Sequence, residues 1–189
     1  MPRAAADTSQ RILDVAERLV QTRGFNGFSY ADIAEALDVT KASLHYHFPS
    51  KAELGKRLIE RYEENFLATL KTIDATGAAA RDKLKRYARI YADVLRDKRM
   101  CLCGMLASDY ATLPKPMKDE VKHFFDENEQ WLAAVLEQGR KTGNLQFKGS
   151  ALDLARLILG SLEGAMMLAR SYGDVSRFDT AAERVIAVL

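Results

Sequence analysis

The sequence predicts an all-α protein with an N-terminal three-helix helix-turn-helix domain and a larger helical domain after it. Two observations support this prediction. Apolar residues recur at helical spacing along most of the chain, and the alternation typical of strands is nowhere sustained. Near the N-terminus, two short helical segments are separated only by a tight corner. We place the domain boundary so that residues 1–50 form the first domain and residues 51–189 form the second.

The composition is that of an ordinary globular protein. Hydrophobic residues make up 48% of the 189 residues, which is enough for a real core. Two cysteines are too few for a disulfide framework and fit a reducing compartment. The chain begins without an apolar signal segment, and its most apolar stretch, residues 154–169, contains charged residues and glycines. We therefore expect a cytoplasmic protein without a membrane span.

Capping residues mark the ends of the predicted helices. Gly24 follows the first apolar helical run as a candidate C-cap, and Thr40 is a good N-cap for the segment KASLHYH. Ser50 and Glu53 form an S-x-x-E capping box at the start of a long helix. The pattern predicts further helices over residues 51–73, 78–97, 102–110, 116–142, 150–172 and 176–188.

The first domain has the layout of a helix-turn-helix. Ser29 and Asp32 mark the start of the first helix of the pair, and Leu44 gives the second helix its inward anchor. In such a unit the second helix enters the major groove of DNA with its N-terminal residues leading. Shape alone leaves an ordinary pair of packed helices as an equal alternative. The leading residues, which could contact base edges, are Lys41, Ala42 and Ser43.

Residues 28–54, FSYADIAEALDVTKASLHYHFPSKAEL, resemble the DNA-binding signature of the TetR family of bacterial transcriptional regulators. The sequence departs from the family pattern at two positions. Asp38 stands where glycine is usual at the corner, and His45 stands where tyrosine is common. Aspartate tolerates a left-handed backbone better than most residues, so we expect the corner to form.

The resemblance implies a ligand-responsive transcriptional repressor. Such a protein binds a palindromic DNA operator as a homodimer, is released by a small-molecule effector, needs no cofactor and is not an enzyme. Lys41, Ala42 and Ser43 would read bases, while residues at the end of the second helix and the start of the next would hold phosphates. The predicted DNA-binding residues are Thr40, Lys41, Ala42, Ser43, His45, Tyr46, His47 and Lys51.

Two closely spaced pairs suggest metal binding at first sight. His45 and His47, like Cys101 and Cys103, are two residues apart. On a helix such residues point about 200° apart around the axis, so neither pair can bind one metal ion together. A zinc site would also need further ligands at workable spacing. We therefore predict no metal site.

Cys101 supports an alternative function. Lys98 and Arg99 precede it, and a helix would start near it. The positive charges and the helix N-terminus would both favour the thiolate form of Cys101. The segment from Arg99 to Phe125 also resembles a TetR subgroup in which a Cys-Leu pair opens a helix beneath the effector pocket, and some of its members respond to electrophiles or oxidants. One alternative is therefore a helical thiol-redox or electrophile-sensing protein acting through Cys101. The other is a helical enzyme, although no nucleotide-binding loop or triad is present in the sequence.

The second domain should contain the effector pocket and the dimer interface. The last two predicted helices have apolar residues on more than one face, so we expect them to pair with their copies in a two-fold dimer. Flexible and aromatic side chains of this domain could line a pocket, although most such residues belong to a core. The candidates are Cys101, Met105, Tyr110, Phe124, Phe125, Trp131 and Met166.

Overall fold

The computed structural model describes residues 2–189, with side chains from Asp7 onward, and this part of the chain is helical without strands. The predicted all-α class is confirmed, and the ends of the helices predicted from residue 51 onward lie within two residues of the observed ones. The helices are α1 (Pro2–Arg23), α2 (Tyr30–Leu37), α3 (Lys41–His47), α4 (Lys51–Ala75), α5 (Ala80–Arg96), α6 (Leu102–Ser108), α7 (Lys115–Lys141), α8 (Ala151–Tyr172) and α9 (Ser176–Ala187), with a 3₁₀ turn at Tyr110–Thr112.

The chain forms two compact units. The first contains residues up to 64 together with residues 102–122, and the second contains residues 65–101 together with residues 123–189. Among the described residues, no helix is long and apolar enough to cross a bilayer.

The first unit has a core built from one face of each of its N-terminal helices. Leu44 is fully buried and is the only buried residue of α3. Because α3 has seven residues, one anchor leaves the rest of this helix at or near the surface. The buried residues around it, from α1, α2 and α4, are Ile12, Leu13, Ala16, Val20, Ile33, Ala34, Leu54, Leu58 and Ile59.

The corner between α2 and α3 turns at Asp38, which has the left-handed backbone expected of it, with φ 53° and ψ 50°. The amide of Asp38 donates to the carbonyl of Glu35, and the amide of Val39 donates to the carbonyl of Ala34 at 3.0 Å. These bonds satisfy carbonyls that the end of α2 would otherwise leave unpaired. A left-handed non-glycine residue costs about 1 kcal/mol, which the corner tolerates.

The caps predicted at Thr40 and Ser50 are confirmed. The Thr40 hydroxyl accepts from the amide of Ser43 at 3.2 Å, which fixes the start of α3. The Ser50 amide donates to the Glu53 carboxylate at 3.2 Å, and the Glu53 amide donates back to the Ser50 hydroxyl at 3.1 Å. This reciprocal pair starts α4 immediately after the exposed Pro49.

The second unit packs α5 against α8 and α9. Two tyrosines of α5, Tyr87 and Tyr91, lie one turn apart on its buried face, and Met166 of α8 and Phe178 of α9 are also buried. The outer face of α8 is different, because large apolar side chains there remain exposed. They are Leu157, Met167 and Leu168, with exposed fractions of 63%, 56% and 61%.

Candidate functional site

Helix α3 presents most of its side chains to solvent. Lys41, Ala42 and His45 are exposed, and the Tyr46 side chain has an exposed fraction of 80%. A tyrosine this exposed on a short anchored helix has a hydroxyl available for an external partner. The surface therefore has the residue types and the position of a recognition helix.

The end of α3 is held by a buried hydrogen bond. The Tyr30 hydroxyl donates to the carbonyl of Phe48, which caps α3, at 2.7 Å. Burial, with a smaller effect of the Glu53 charge, raises the pKa of Tyr30 to about 12. Tyr30 is therefore a neutral donor at physiological pH. Its hydrogen bond fixes the position of the C-terminal end of α3 relative to α2.

A cleft of about 440 Å³ lies between the start of α2 and the face of α3. The amide-bearing start of a helix and the exposed Lys41 are groups that favour an anion such as a phosphate. Sequence reasoning found Lys41, His45 and Lys51 but missed the contribution of α2, although the capping signal at Ser29 was visible. The residues that line this cleft are Phe28, Ser29, Tyr30, Ala31, Lys41, His45 and Lys51.

The two histidines of α3 have different surroundings. His45 Nδ1 lies 3.2 Å from the carbonyl of Pro49, and its ring packs at 4.8 Å against the ring of Tyr30. Because a carbonyl only accepts, Nδ1 must carry a proton, which leaves Nε2 free for a further partner. The half-buried His47 packs edge-on against Tyr46 at 5.2 Å. Among the described residues, no three His, Cys, Asp or Glu side chains are grouped as a metal site.

Lys51 is held differently from the prediction that it contacts phosphate. Its Nζ donates to the carbonyls of Phe25 and Phe28, each at 2.5 Å, and lies over the rings of both phenylalanines. Burial lowers the pKa of Lys51, against the opposing charges of Asp109 and Asp32. This geometry favours an internal role, in which Lys51 fixes the loop between α1 and α2.

The second unit contains a buried aromatic cluster. The Phe66 ring lies 5.2 Å from that of Phe124 and 6.1 Å from that of Tyr87, which stacks on Trp131 at 5.4 Å. Trp131 is oriented by a bond from its indole nitrogen to Asp74 at 2.9 Å. Two predicted pocket residues, Phe124 and Trp131, therefore lie in one cluster.

A network of buried hydrogen bonds connects residues of this cluster. The Tyr87 hydroxyl donates to the side-chain oxygen of Asn128 at 2.9 Å, and the amide of Asn128 donates to the carbonyl of Phe124 at 2.8 Å. The hydroxyls of Tyr87 and Tyr91 are 2.9 Å apart. Burial, together with the charge of Glu163, raises the pKa of both tyrosines well above its ordinary value.

Cys101 has a carboxyl neighbour. Its side chain is buried, with an exposed fraction of 1%, and hydrogen-bonds to Glu163 of α8. The guanidinium of Arg99, which the sequence suggested would support a thiolate, instead donates to Asp97 at 2.7 Å. The chain turns at Lys98, and the cysteine is buried beside an acid. Burial and a neighbouring carboxyl both disfavour a thiolate, so this geometry does not favour the predicted thiolate at Cys101.

The remaining predicted pocket residues are separated. Met105 and Tyr110 belong to the first unit, where Lys118 lies over the Tyr110 ring at 5.2 Å. Met166 is fully buried on α8 of the second unit, and Phe125 packs edge-on against Phe124. The predicted set therefore divides between two units. Sequence reasoning missed Tyr87, Tyr91, Asn128 and Glu163, of which only the two tyrosines at i and i+4 left a visible signal.

The fold and the exposed α3 define an all-helical DNA-binding protein. Comparison with known proteins identifies its family. Residues 12–58 match the model of the bacterial regulatory proteins of the tetR family. Residues 80–185 match the tetracyclin repressor-like C-terminal domain. The chain therefore belongs to the TetR family of transcriptional regulators, as its resemblance predicted. This is a family of regulators and not of enzymes, and the comparisons do not favour the thiol-redox or enzyme alternatives.

Relatives match over nearly the whole chain. A TetR-family regulator from Agrobacterium tumefaciens is 31% identical and has a TM-score of 0.94, with 97% of each chain covered. A TetR regulator from Legionella pneumophila is 34% identical with a TM-score of 0.86, covering 96% of this chain and 97% of that one. The repressor NemR of Escherichia coli is 25% identical over 87% of this chain and 84% of its own.

Proposed function

We propose that the protein is a homodimeric repressor that binds a palindromic operator through α3 and leaves it when a small-molecule effector binds the C-terminal domain. The observation that carries the proposal is the exposure of α3, in which Leu44 is the one buried anchor and Lys41, Ala42, His45 and Tyr46 are exposed. We retain the division at residue 50, with DNA binding before it and effector binding and dimerisation after it. A protein that binds the chromosome acts where the chromosome lies, so we place it in the bacterial cytoplasm.

We assign different tasks to the two ends of α3. Lys41, Ala42 and Ser43 at its start would contact base edges, because the N-terminal residues of a recognition helix lead into the major groove. The residues toward its end, Tyr46 and His47, would hold phosphates and set the register. Half-sites would lie about one helical turn apart or slightly more. Thr40 and His45 would support these contacts from the ends of the same surface, and Lys51 would act through the loop that it fixes.

Selection of bound DNA from a random pool tests the class and yields the operator. Lys41→Ala is then expected to relax the preference at one base pair of each half-site by about 5- to 100-fold. Tyr46→Phe, which removes one hydroxyl, is expected to weaken binding to all sequences alike by several-fold, because phosphate contacts carry no sequence information. Failure to enrich any palindrome would contradict the proposal. A Tyr46→Phe protein with an altered base preference would contradict the assignment of tasks.

The exposed apolar face of α8 supports the dimer. Leu157 and Leu168 are exposed large side chains, and a Cβ added at Gly160 or Gly164 would meet nothing within 4 Å. Large exposed apolar residues beside glycine positions form a flat surface that a second copy can approach closely. The proposal is that α8 and α9 pair with their copies there.

Leu157→Glu is expected to convert the dimer into a monomer at micromolar concentration, because each interface would bury two unpaired carboxylates about the two-fold axis. Sedimentation or light scattering measures the mass, and operator affinity should fall by at least about 100-fold as the two half-sites lose their linkage. Ala134→Glu, at an exposed position of α7, is the matched control and should remain dimeric. A monomeric wild type, or a dimeric Leu157→Glu protein, would overturn this arrangement.

A further inference from the structure

Glu163 has a buried oxygen that lacks a partner. Its Oε1 atom has no contact with solvent and no hydrogen-bond donor, although other parts of the residue reach the surface. A buried carboxylate oxygen without a donor is costly, since the desolvation penalty is uncompensated. Proteins tolerate such groups where a ligand, an ion or a change of protonation supplies what is missing.

The neighbouring side chains have no proton left to give. The single proton of Tyr87 goes to Asn128, so the hydrogen bond between the two tyrosines must use the proton of Tyr91. The thiol of Cys101 already bonds to Glu163. The Tyr91 hydroxyl oxygen keeps a free lone pair, so this part of the second unit contains two acceptors, Tyr91 Oη and Glu163 Oε1, without matching donors.

Aromatic rings pack around the first of these acceptors, Tyr91. Tyr91 packs against Tyr87 at 5.3 Å and against Phe66 at 6.2 Å, and Trp131 stacks on Tyr87. Ring faces attract cations, most strongly where water is excluded. The cluster thus combines an anionic oxygen, a spare hydroxyl acceptor and ring faces.

We propose that the effector of this regulator carries a primary ammonium group, which Glu163 binds through its Oε1 while the rings of Tyr91, Phe66 and Trp131 contact the apolar part of the effector. A primary ammonium supplies both the N–H donors and the positive charge that the cluster lacks. Entry requires the packed side chains to move. Met166, one turn from Glu163 on α8 and fully buried, has the flexible side chain that such repacking uses. This inference rests on the proposed function in placing the effector within the C-terminal domain.

Protonation of Glu163 explains how the fold tolerates this buried carboxyl group when no ligand is bound. Burial, opposed by the Cys101 hydrogen bond, raises the pKa of Glu163 from 4.5 to about 7. The titratable groups that face this carboxyl are Cys101, Tyr87 and Tyr91, and the pKa of each of the two tyrosines is raised well above its ordinary value. Below pH 7 the carboxyl therefore holds a proton, and a bound ammonium would replace it. Binding should release close to one proton at pH 6 and almost none at pH 8.

The experiment uses the full-length protein with benzylammonium, benzyl alcohol and benzoate as probes at millimolar concentration. Benzylammonium alone is expected to raise the Tm of the wild type. Glu163→Gln, which keeps an acceptor for Cys101 but loses the charge, should bind benzylammonium at least about tenfold more weakly. Calorimetry at pH 6 in two buffers of different ionisation enthalpy measures the released proton, which the variant should lack.

The matched control is Glu129→Gln, because Glu129 is an acid whose bond to Arg156 at 3.0 Å lies on the surface. It should behave as the wild type. The inference is overturned if benzylammonium does not stabilise the wild type, if benzyl alcohol or benzoate does so equally, or if Glu163→Gln retains binding and proton release. Operator binding without probe is measured in parallel. Intact DNA binding with no ammonium effect refutes this inference alone, whereas loss of DNA binding by the wild type refutes the proposed function.

Discussion

Replacing Lys51 with alanine is expected to lower the free energy of unfolding by about 2–4 kcal/mol. The reason is that its Nζ donates to two carbonyls of the loop before α2, those of Phe25 and Phe28, and lies over both rings. Removing a charged donor leaves two part-buried carbonyls without a partner and also removes the cation–ring contacts. Chemical denaturation measures the loss. Because this loop precedes α2, operator affinity should also fall.

The comparison with two further variants separates the possible roles of this residue. Lys51→Met keeps the apolar stem and should lose nearly as much stability, since the ammonium group makes the bonds. Lys56→Ala, also on α4, breaks exposed ion pairs of 3.6 Å with Glu60 and Glu120 and should cost at most about 0.5 kcal/mol. A phosphate contact would have another signature: unchanged stability with a salt slope of DNA binding lower by about one. That result would contradict the anchoring role.

Glu163→Gln is expected to stabilise the protein at pH 8 by about 3 kcal/mol and to change little near pH 4. The folded pKa is about 7 against an ordinary value of 4.5. Below 4.5 the carboxyl is protonated in both states and contributes nothing. Between 4.5 and 7 the unfolded chain ionises first, so the folded state binds more protons and its stability falls as pH rises. Above 7 the penalty is constant.

Denaturation of both proteins across pH 4 to 8 gives this difference directly. Glutamine has no proton to exchange and has N–H donors for the neighbouring acceptors, so it removes the penalty. Glu129→Gln, at the surface ion pair with Arg156, is the control and should show no such slope. A stability difference between wild type and Glu163→Gln that is the same at every pH would show that the carboxyl is not buried as a charge.

The helices were predictable because their signals are local. The caps at Thr40 and Ser50 and the left-handed Asp38 each depend on neighbours within a few residues, and each was read correctly from the sequence. The exposed face of α3 followed from the same information. A position that depends only on its own turn of helix can be predicted from one sequence.

Distant partners could not be predicted. Lys51 is a residue type that often contacts phosphate, but its ammonium group donates to carbonyls of the loop before α2. Similarly, Glu163 gave no signal in α8, because its special environment comes from Cys101 and from two tyrosines of α5. Such contacts arise from tertiary packing, which no local pattern encodes. Of the predicted pocket residues, Met105 and Tyr110 belong to the first unit, and the others belong to the second.

The single buried anchor of α3 has a consequence for how this regulator can diversify. Because Leu44 is the only buried residue of the helix, Lys41, Ala42 and Tyr46 can change with an expected cost within about 0.5 kcal/mol each. Mutations that alter the operator therefore need not be compensated elsewhere in the chain. A duplicated copy could acquire a new set of target promoters in a few substitutions, while its response to the old effector passed unchanged to the new genes.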